Sequence, residues 1–302
     1  MAFVKTLTEL ARKDKNVWLI TGDLGFSVFE EFIKEFPDQY LNTGVTEQNL
    51  MGVAAGLAMM GKKPFVYSIS TFASMRPYEQ IRNDIAYQNL PVVIIGGGSS
   101  FSYSTFGCTH VPLEDLAIMR VMPNMAVTCP GDAKEVEALL HEAYKRTSPT
   151  YMRIAKRGEP VVHTSIENIV LGKMTELKSG TDATILVTGR QVPNALAAAE
   201  TLEKEGKKIR VLSVHTLKPF DEEVLIKAAK ETKALITVEE HSIIGGLYGA
   251  VAETLIKNQI MVPVKALGIT DEFPKGVGSQ EYFLERYHLT PTGIVEALQK
   301  VL

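Results

Sequence analysis

The chain has 302 residues, 45% of them hydrophobic, which is enough apolar material for two cores of roughly 100 to 200 residues each. Its formal net charge is −3, with Lys and Arg scattered and no aromatic-plus-basic stripe, so nothing reads as a nucleic-acid surface, while a small anionic substrate stays open. No stretch reaches the ~20 apolar residues that cross a bilayer, the start of the chain lacks the pattern of a cleaved leader, and the two cysteines, Cys108 and Cys129, form neither a disulfide framework nor a metal pair; a cytoplasmic protein with reduced thiols and no metal site of its own is expected.

In chain order, short apolar runs alternate with amphipathic stretches. VWLITGD precedes a helix around Val28 to Phe36, a helix follows Gln48, and PFVYSIS precedes a helix from Met75 to Tyr87. PVVIIGGG, a helix around Leu113 to Arg120, MAVTCP, a helix from Ala133 to Tyr144 and PTYMRIA complete the series. Such alternation predicts βαβ units and a mostly parallel sheet covered on both faces over residues 1–155. Residues 156–181, with KRGEPVVH and KMTELKSGTD, lose the periodicity and read as a connecting segment with a short strand pair at most. Over 182–302 the pattern resumes: ATILVTG, IRVLSV, ALITVEE and VPVKALG alternate with helices through NALAAAETLEKEG, EEVLIKAAKET and GGLYGAVAETLIKN. PTGIVEALQKVL closes the chain as a helix with proline in its first turn. The expected fold is α/β, with two doubly wound, mostly parallel-sheet domains.

The stretch NTGVTEQNLMGVAAGLA carries a carboxylate, Glu47, where a loop enters a helix of small residues, and small residues admit another backbone or a flat ring. Read by itself, Glu47 favours the positive end of the helix dipole or caps the first turn. In the second unit, Glu239, Glu240 and His241 of TVEEHSIIGG stand at a strand end before a glycine-rich helix start, which predicts capping and interface contacts rather than catalysis.

GVTEQNLMGVAAGLA, STFASMRPYEQIRNDIAYQNLPVVIIGGG, THVPLEDLAIMRVMPNMAVTCPGD and YMRIAKRGEP, in that order, resemble the pyrimidine-binding domain of the transketolase family, and residues 182–302 resemble its C-terminal domain. The resemblance implies a thiamine-diphosphate enzyme that transfers a two-carbon ketol unit from a ketose to an aldehyde, with the hard chemistry belonging to the cofactor. It implies that Glu47 bonds the aminopyrimidine ring nitrogen in a dry site and favours the imino tautomer. Phe72 falls on a position that stacks on the same ring. Three residues on, where relatives carry a second aromatic, stands Met75, followed by Arg76 and Tyr78, and any of the three could complete the cofactor contact. His110 matches the histidine that faces the reacting carbon, where a near-neutral pKa suits proton transfer.

Departures concern the substrate. Phe106 stands where many sugar-processing relatives place an aspartate, and it cannot accept a hydroxyl's hydrogen bond. Gly98 falls near a histidine that helps bind the acceptor's phosphate, and MAFVKT offers no match for a basic residue near the N-terminus. Ser27 and Arg157 remain as candidate anion ligands, the latter through its planar fork. A donor or acceptor other than a standard pentose phosphate is therefore expected.

The GDG motif that holds Mg²⁺ and the diphosphate is missing; Thr21-Gly22-Asp23-Leu24 is not that motif. The resemblance thus implies the C-terminal-half subunit of a split transketolase, completed by an N-terminal-half subunit carrying the motif in a self-associating α₂β₂ heterotetramer. Rival readings are the β subunit of a 2-oxo-acid dehydrogenase, a deoxyxylulose-phosphate-synthase-like enzyme and a non-catalytic scaffold paralogue. A dinucleotide binder lacks support, since no G-x-G-x-x-G opens a helix after the first strand.

Overall fold

The computed structural model describes residues 2–156 and 160–302. Twelve strands among them form two sheets: β1 Val17–Thr21, β2 Tyr40–Asn42, β3 Lys63–Ile69, β4 Val93–Gly97, β5 Ala126–Thr128, β6 Thr150–Ile154, β7 Thr175–Lys178, β8 Ala183–Val187, β9 Ile209–Ser213, β10 Thr216–Lys218, β11 Leu235–Ser242 and β12 Val264–Ile269. The first sheet runs β10-β5-β6-β4-β3-β1-β2 and the second β12-β11-β8-β9-β7. Within the first, every pairing is parallel except that of β10 on β5, and within the second only β7 on β9 is antiparallel. The α/β class expected from the alternating pattern is therefore the one observed. Central strands such as β4 and β8 are buried along their whole length, as continuous apolar runs in a parallel sheet require.

Three short strands go beyond the periodicity. YLN, TELK and TLK are too short and too polar to announce themselves, and each is a strand only because a distant edge supplies its hydrogen-bond partner. β10 leaves the second series to pair with β5, so the first sheet draws on both halves of the chain. Among the described residues of 156–181, where a strand pair is the most expected, β7 is the one strand, and it pairs with β9. The helix expected from Met75 to Tyr87 is also broken: Ser70–Ser74 is one helix, Tyr78–Gln80 another, and Ile81–Ala86 is a π-helical turn. Pro77 lies at the break, where its missing N–H cannot continue an α-helical ladder.

Helices Ala2–Lys13 and Ala133–Lys145 cover one face of the first sheet, around Leu7, Leu19, Phe65 and Leu139. On the other face, Ile20, Leu50 and Ile94 join Leu186, Leu212 and Leu235 of the second sheet in one continuous core. Helices Val192–Lys204 and Pro291–Gln299 seal the far side of the second sheet. Among the described residues no helix is long and apolar enough to cross a membrane.

One buried polar joint ties the sheets together, and a second holds the helix that starts at Ala133 to the connecting segment. Arg153 of β6 donates to Asp115 Oδ1 (3.1 Å) and to the Glu240 carbonyl (3.2 Å), while Tyr151 donates to Asp115 Oδ2 at 2.7 Å. Glu239 accepts from the Leu247 and Tyr248 N–H groups (2.6 and 2.9 Å), and a Cβ on Gly246 would collide with that carboxylate. The Ala117 N–H reaches His241 Nε2. The capping and interface roles expected for the Glu239 to His241 segment are thus the ones they fill. In the second joint Asp132 caps helix Ala133–Lys145 through Lys134 N and Glu135 N while also taking Val162 N, His163 N and the His163 ring. Burial alone would raise the Asp132 carboxyl, yet the His163 ring and these N–H donors hold it down at about 2.

Removing Asp115 strands the Arg153 charge in a dry interior, so Asp115→Ala should lower the unfolding free energy by about 3 to 5 kcal/mol, read by urea denaturation. His215, buried with Nδ1 3.0 Å from Thr216 Oγ1, is pushed down to about 4 by burial and by neighbouring His163. Its depressed pKa means that the neutral form is the one folded in: the stability it secures is complete above the ordinary 6.5 and is lost as pH falls toward 4. Relative to His215→Gln, the native chain should lose about 2 kcal/mol between pH 7 and pH 5, measured by the same denaturation at both values.

Candidate active site

Parallel strands deliver their following loops to one edge of the first sheet, at the strand C-terminal ends, where open α/β sheets bind ligands. Glu47 opens helix Glu47–Met59 just after β2, and Phe72 sits in helix Ser70–Ser74 directly after β3. The turns Ser100–Phe106 and Cys108–His110 follow β4, and Lys156 lies two residues past β6.

Glu47 is 5% exposed, which meets the expectation of a dry carboxylate. Rather than capping its own helix, the side chain reaches across to Arg76, whose Nη1 donates to Oε1 at 3.0 Å. The same guanidinium lies against the face of Phe72, 4.2 Å from the ring centroid, and the Phe72 ring meets His110 edge-on at 5.1 Å. Thr109 Oγ1 and His110 Nδ1 share a 2.9 Å hydrogen bond. Beyond His110 the chain of rings continues through Phe106, at 5.3 Å, to Tyr103, over which Lys156 places its ammonium at 4.6 Å. A cleft of about 370 Å³ is lined by His110, Phe106, Tyr103, Lys156, Phe26 and Ile69.

Of the three residues expected to share the cofactor contact, Arg76 is thus the one brought onto Glu47 and Phe72. Met75 is half-buried and gives its N–H to the Thr71 carbonyl. Tyr78 turns away into the core, and its hydroxyl donates to the Ile118 carbonyl at 3.0 Å. Ser27, exposed and in a left-handed conformation at φ 61°, gives its N–H to Glu30 and lines a separate cleft with Lys5, Arg12 and Lys134. Arg157 lies outside the described residues. Gly98 has φ +89°, and a Cβ there would strike the Tyr103 ring, so Tyr103 fills the space beside it.

Sequence reasoning missed Lys156 and Tyr103. In AKRGEP the arginine stands out for its planar fork, and its neighbour Lys156 lines the cleft. Tyr103 carried no signal, because only the tight turn at Gly98 folds it back beside His110. Cys108 is half-buried and Cys129 buried; both are free thiols, and burial pushes each upward, away from the reactive thiolate. Among the described residues no group of three His, Cys, Asp or Glu side chains is placed to hold a metal ion.

Whether an aminopyrimidine fits can be judged from Arg76 itself. A guanidinium is a flat, N–H-bearing amidine-like group, and here it both donates to the buried carboxylate and packs on the aromatic face. An aminopyrimidine likewise offers N–H groups at its edge and a flat face, so Glu47 and Phe72 suit it in chemistry.

Known proteins give the chain its family. The transketolase pyrimidine-binding domain matches residues 1–159, and the transketolase C-terminal domain matches residues 172–294. A 6-deoxy-6-sulfo-D-fructose transketolase subunit of Clostridium sp. (strain MSTE9) is 39% identical over 99% of this chain and 92% of its own length. One of the subunits of an apulose-4-phosphate transketolase of Phocaeicola vulgatus is 40% identical over 97% of this chain and 94% of its own. A solved split-gene transketolase, an inactive β4 tetramer, superposes with a TM-score of 0.90 at 40% identity, covering 100% of this chain and 96% of that one. With both domains matched and relatives of the same extent, the chain belongs to the transketolase family, among its separately encoded C-terminal subunits.

Proposed function

We propose that this transketolase subunit uses thiamine diphosphate to move a two-carbon ketol unit from a ketose to an aldehyde, in the cytoplasm, and that it does so only with an N-terminal-half partner. The observation that carries the reading is the buried Glu47 carboxylate joined through Arg76 to the Phe72 ring, which packs on His110, a residue of the cleft. When bound, the cofactor would supply the nucleophilic carbon and the electron sink for cleaving a bond next to a carbonyl. Glu47 would accept the ring N–H and orient the aminopyrimidine, and Phe72 would fix its plane. His110, which lines the cleft, would bind the substrate oxygen and move its proton.

The diphosphate and its Mg²⁺ would be held by the partner, through the GDG motif that is absent from this sequence. Two features support a docked partner. Helix Glu47–Met59 buries Leu50, Met51, Ala54 and Ala58 but leaves Gly52, Gly56 and Met59 exposed, and a Cβ at either glycine would meet no atom within 4 Å. Such a helix face lets another backbone approach closely. The solved neighbour, moreover, is inactive as a β4 tetramer, which fits a subunit that self-associates yet needs a different chain in an α₂β₂ assembly to work.

For the substrate, Phe106 is 64% exposed at the cleft and presents a ring where a hydroxyl-reading carboxylate is usual, while Lys156 supplies the cation at its far end. An anionic sugar with fewer or displaced hydroxyls suits this lining better than a pentose phosphate. Two relatives are named for anionic sugars, 6-deoxy-6-sulfo-D-fructose and apulose 4-phosphate.

Isothermal titration of thiamine diphosphate with Mg²⁺ should show tight binding by the complex of this chain and its N-terminal-half partner, and no tight binding by either chain alone. Within that complex Glu47→Ala should lower kcat by at least about 100-fold, in line with loss of an acid–base partner. Should the assembled complex never bind the cofactor, the subunit is a scaffold. Turnover of xylulose 5-phosphate with ribose 5-phosphate should be poor in the native complex and rise about tenfold in Phe106→Asp, as one added hydrogen bond allows; brisk native turnover of that pair would contradict the substrate reading.

A further inference from the structure

Arg76 satisfies by itself both halves of the pocket in which the aminopyrimidine is placed. Its Nη1 holds Glu47 Oε1 at 3.0 Å, and its guanidinium carbon sits 4.2 Å from the centroid of the Phe72 ring. The Phe72 ring also makes a T-shaped contact with His110. One carboxylate oxygen and one ring face cannot serve a guanidinium and a stacked heterocycle together. We infer that Arg76 is an internal competitor for the cofactor, a latch that keeps Glu47 and Phe72 engaged and swings aside when the aminopyrimidine takes them. This inference rests on the reading of Glu47 as the cofactor's carboxylate.

The surroundings determine how such a latch moves. Met75 is tied to the preceding helix through its N–H, Pro77 has no N–H to exchange, and Tyr78 is pinned by its hydroxyl to the Ile118 carbonyl. The backbone on either side of Arg76 is therefore anchored, and release is a rotation of one long side chain. The Arg76 side chain is 51% exposed against 6% for Glu47, so the swing carries a charge into water rather than through the core. Glu47, by contrast, cannot reach solvent and needs a partner at all times, because a buried carboxylate without one is strongly unfavourable. The guanidinium supplies that partner until the ring N–H replaces it. A half-exposed ion pair is weak and its contact with an aromatic face adds a comparable amount, so the latch lowers affinity about tenfold and does not close the site.

The test uses the full chain alone and 4-amino-5-hydroxymethyl-2-methylpyrimidine, the ring fragment without diphosphate, followed by ligand-observed NMR. Arg76→Met keeps the apolar stem and removes the cation, while Arg76→Lys keeps the charge and removes the plane. Circular dichroism confirms that each variant is folded. The fragment should bind Arg76→Met about tenfold more tightly than the native chain, with Arg76→Lys between them, and Glu47→Ala should abolish binding in both backgrounds. Methylguanidine should displace the fragment from Arg76→Met by refilling the space the side chain left. If the native chain and Arg76→Met bind equally, or the variant binds more weakly, while Glu47→Ala still abolishes binding, the latch is wrong and the pocket stands. If no binding in Arg76→Met depends on Glu47, the pocket reading falls and takes the latch with it.

Discussion

The fold turns on one wholly buried ion pair. Arg153 and Asp115 are 1% and 0% exposed, a position that two charges hold only with further hydrogen-bond partners gathered round them. Tyr151 occupies the second Asp115 oxygen, the Glu240 carbonyl takes a further guanidinium N–H, and His241 stands 3.9 Å from the same carboxylate. These groups come from β6, from the start of helix Asp115–Val121 and from β11, so one network fixes a strand of each sheet against the segment that follows His110. A purely apolar junction would tolerate sliding, since its contacts carry no direction; hydrogen bonds between buried charges do not.

From that joint the second sheet's influence reaches the cleft. Phe101 stacks on Phe283 at 5.1 Å and on Tyr287 at 5.7 Å, nearly parallel to both, and the Ser104 hydroxyl donates to the Gly278 carbonyl. Helix Gln280–Arg286 thus holds the turn that leads to Phe106 and His110. Loops position reacting groups well only where something rigid holds them, and here the rigid body is the other half of the chain. Two further ties, the Ser242 N–H on the Leu113 carbonyl and Arg120 on Gly245 and Glu253, fix the chain beyond His110 in the same way. The second unit accordingly helps to shape the cleft, a role the sequence alone did not reveal.

What was legible in the sequence follows from how local the determining physics is. The buried strands read directly, because ATILV and VVIIGG are apolar runs whose meaning does not depend on distant residues. Glu47, Phe72 and His110 were legible as motif positions, and the fold sets Phe72 on His110 and links it through Arg76 to Glu47. TLK was illegible as β10 because only the exposed edge of β5 makes it a strand. Arg76, weighed equally with Met75 and Tyr78, was undecidable for a similar reason: the turn at Pro77 sends one of three neighbouring side chains to the carboxylate and another to Ile118. Periodicity reports which face is buried, and it says nothing about where a broken helix aims its residues.

Helix Glu47–Met59 joins these two levels. Its buried face packs Leu50 and Ala54 into the core shared by both sheets, its first residue is the carboxylate of the site, and its outer face is small and open. A partner chain laid along Gly52 and Gly56 would stand within a few turns of Glu47 and Arg76, so docking and drying of the site would be one event. Arg76 gains most of its freedom from water, and a surface that excludes water weakens the case for a swung-out guanidinium unless the docking chain offers it an acceptor. The latch and the partner are therefore coupled by the same half-exposed side chain, and the strength of that coupling depends on what the partner places opposite Arg76.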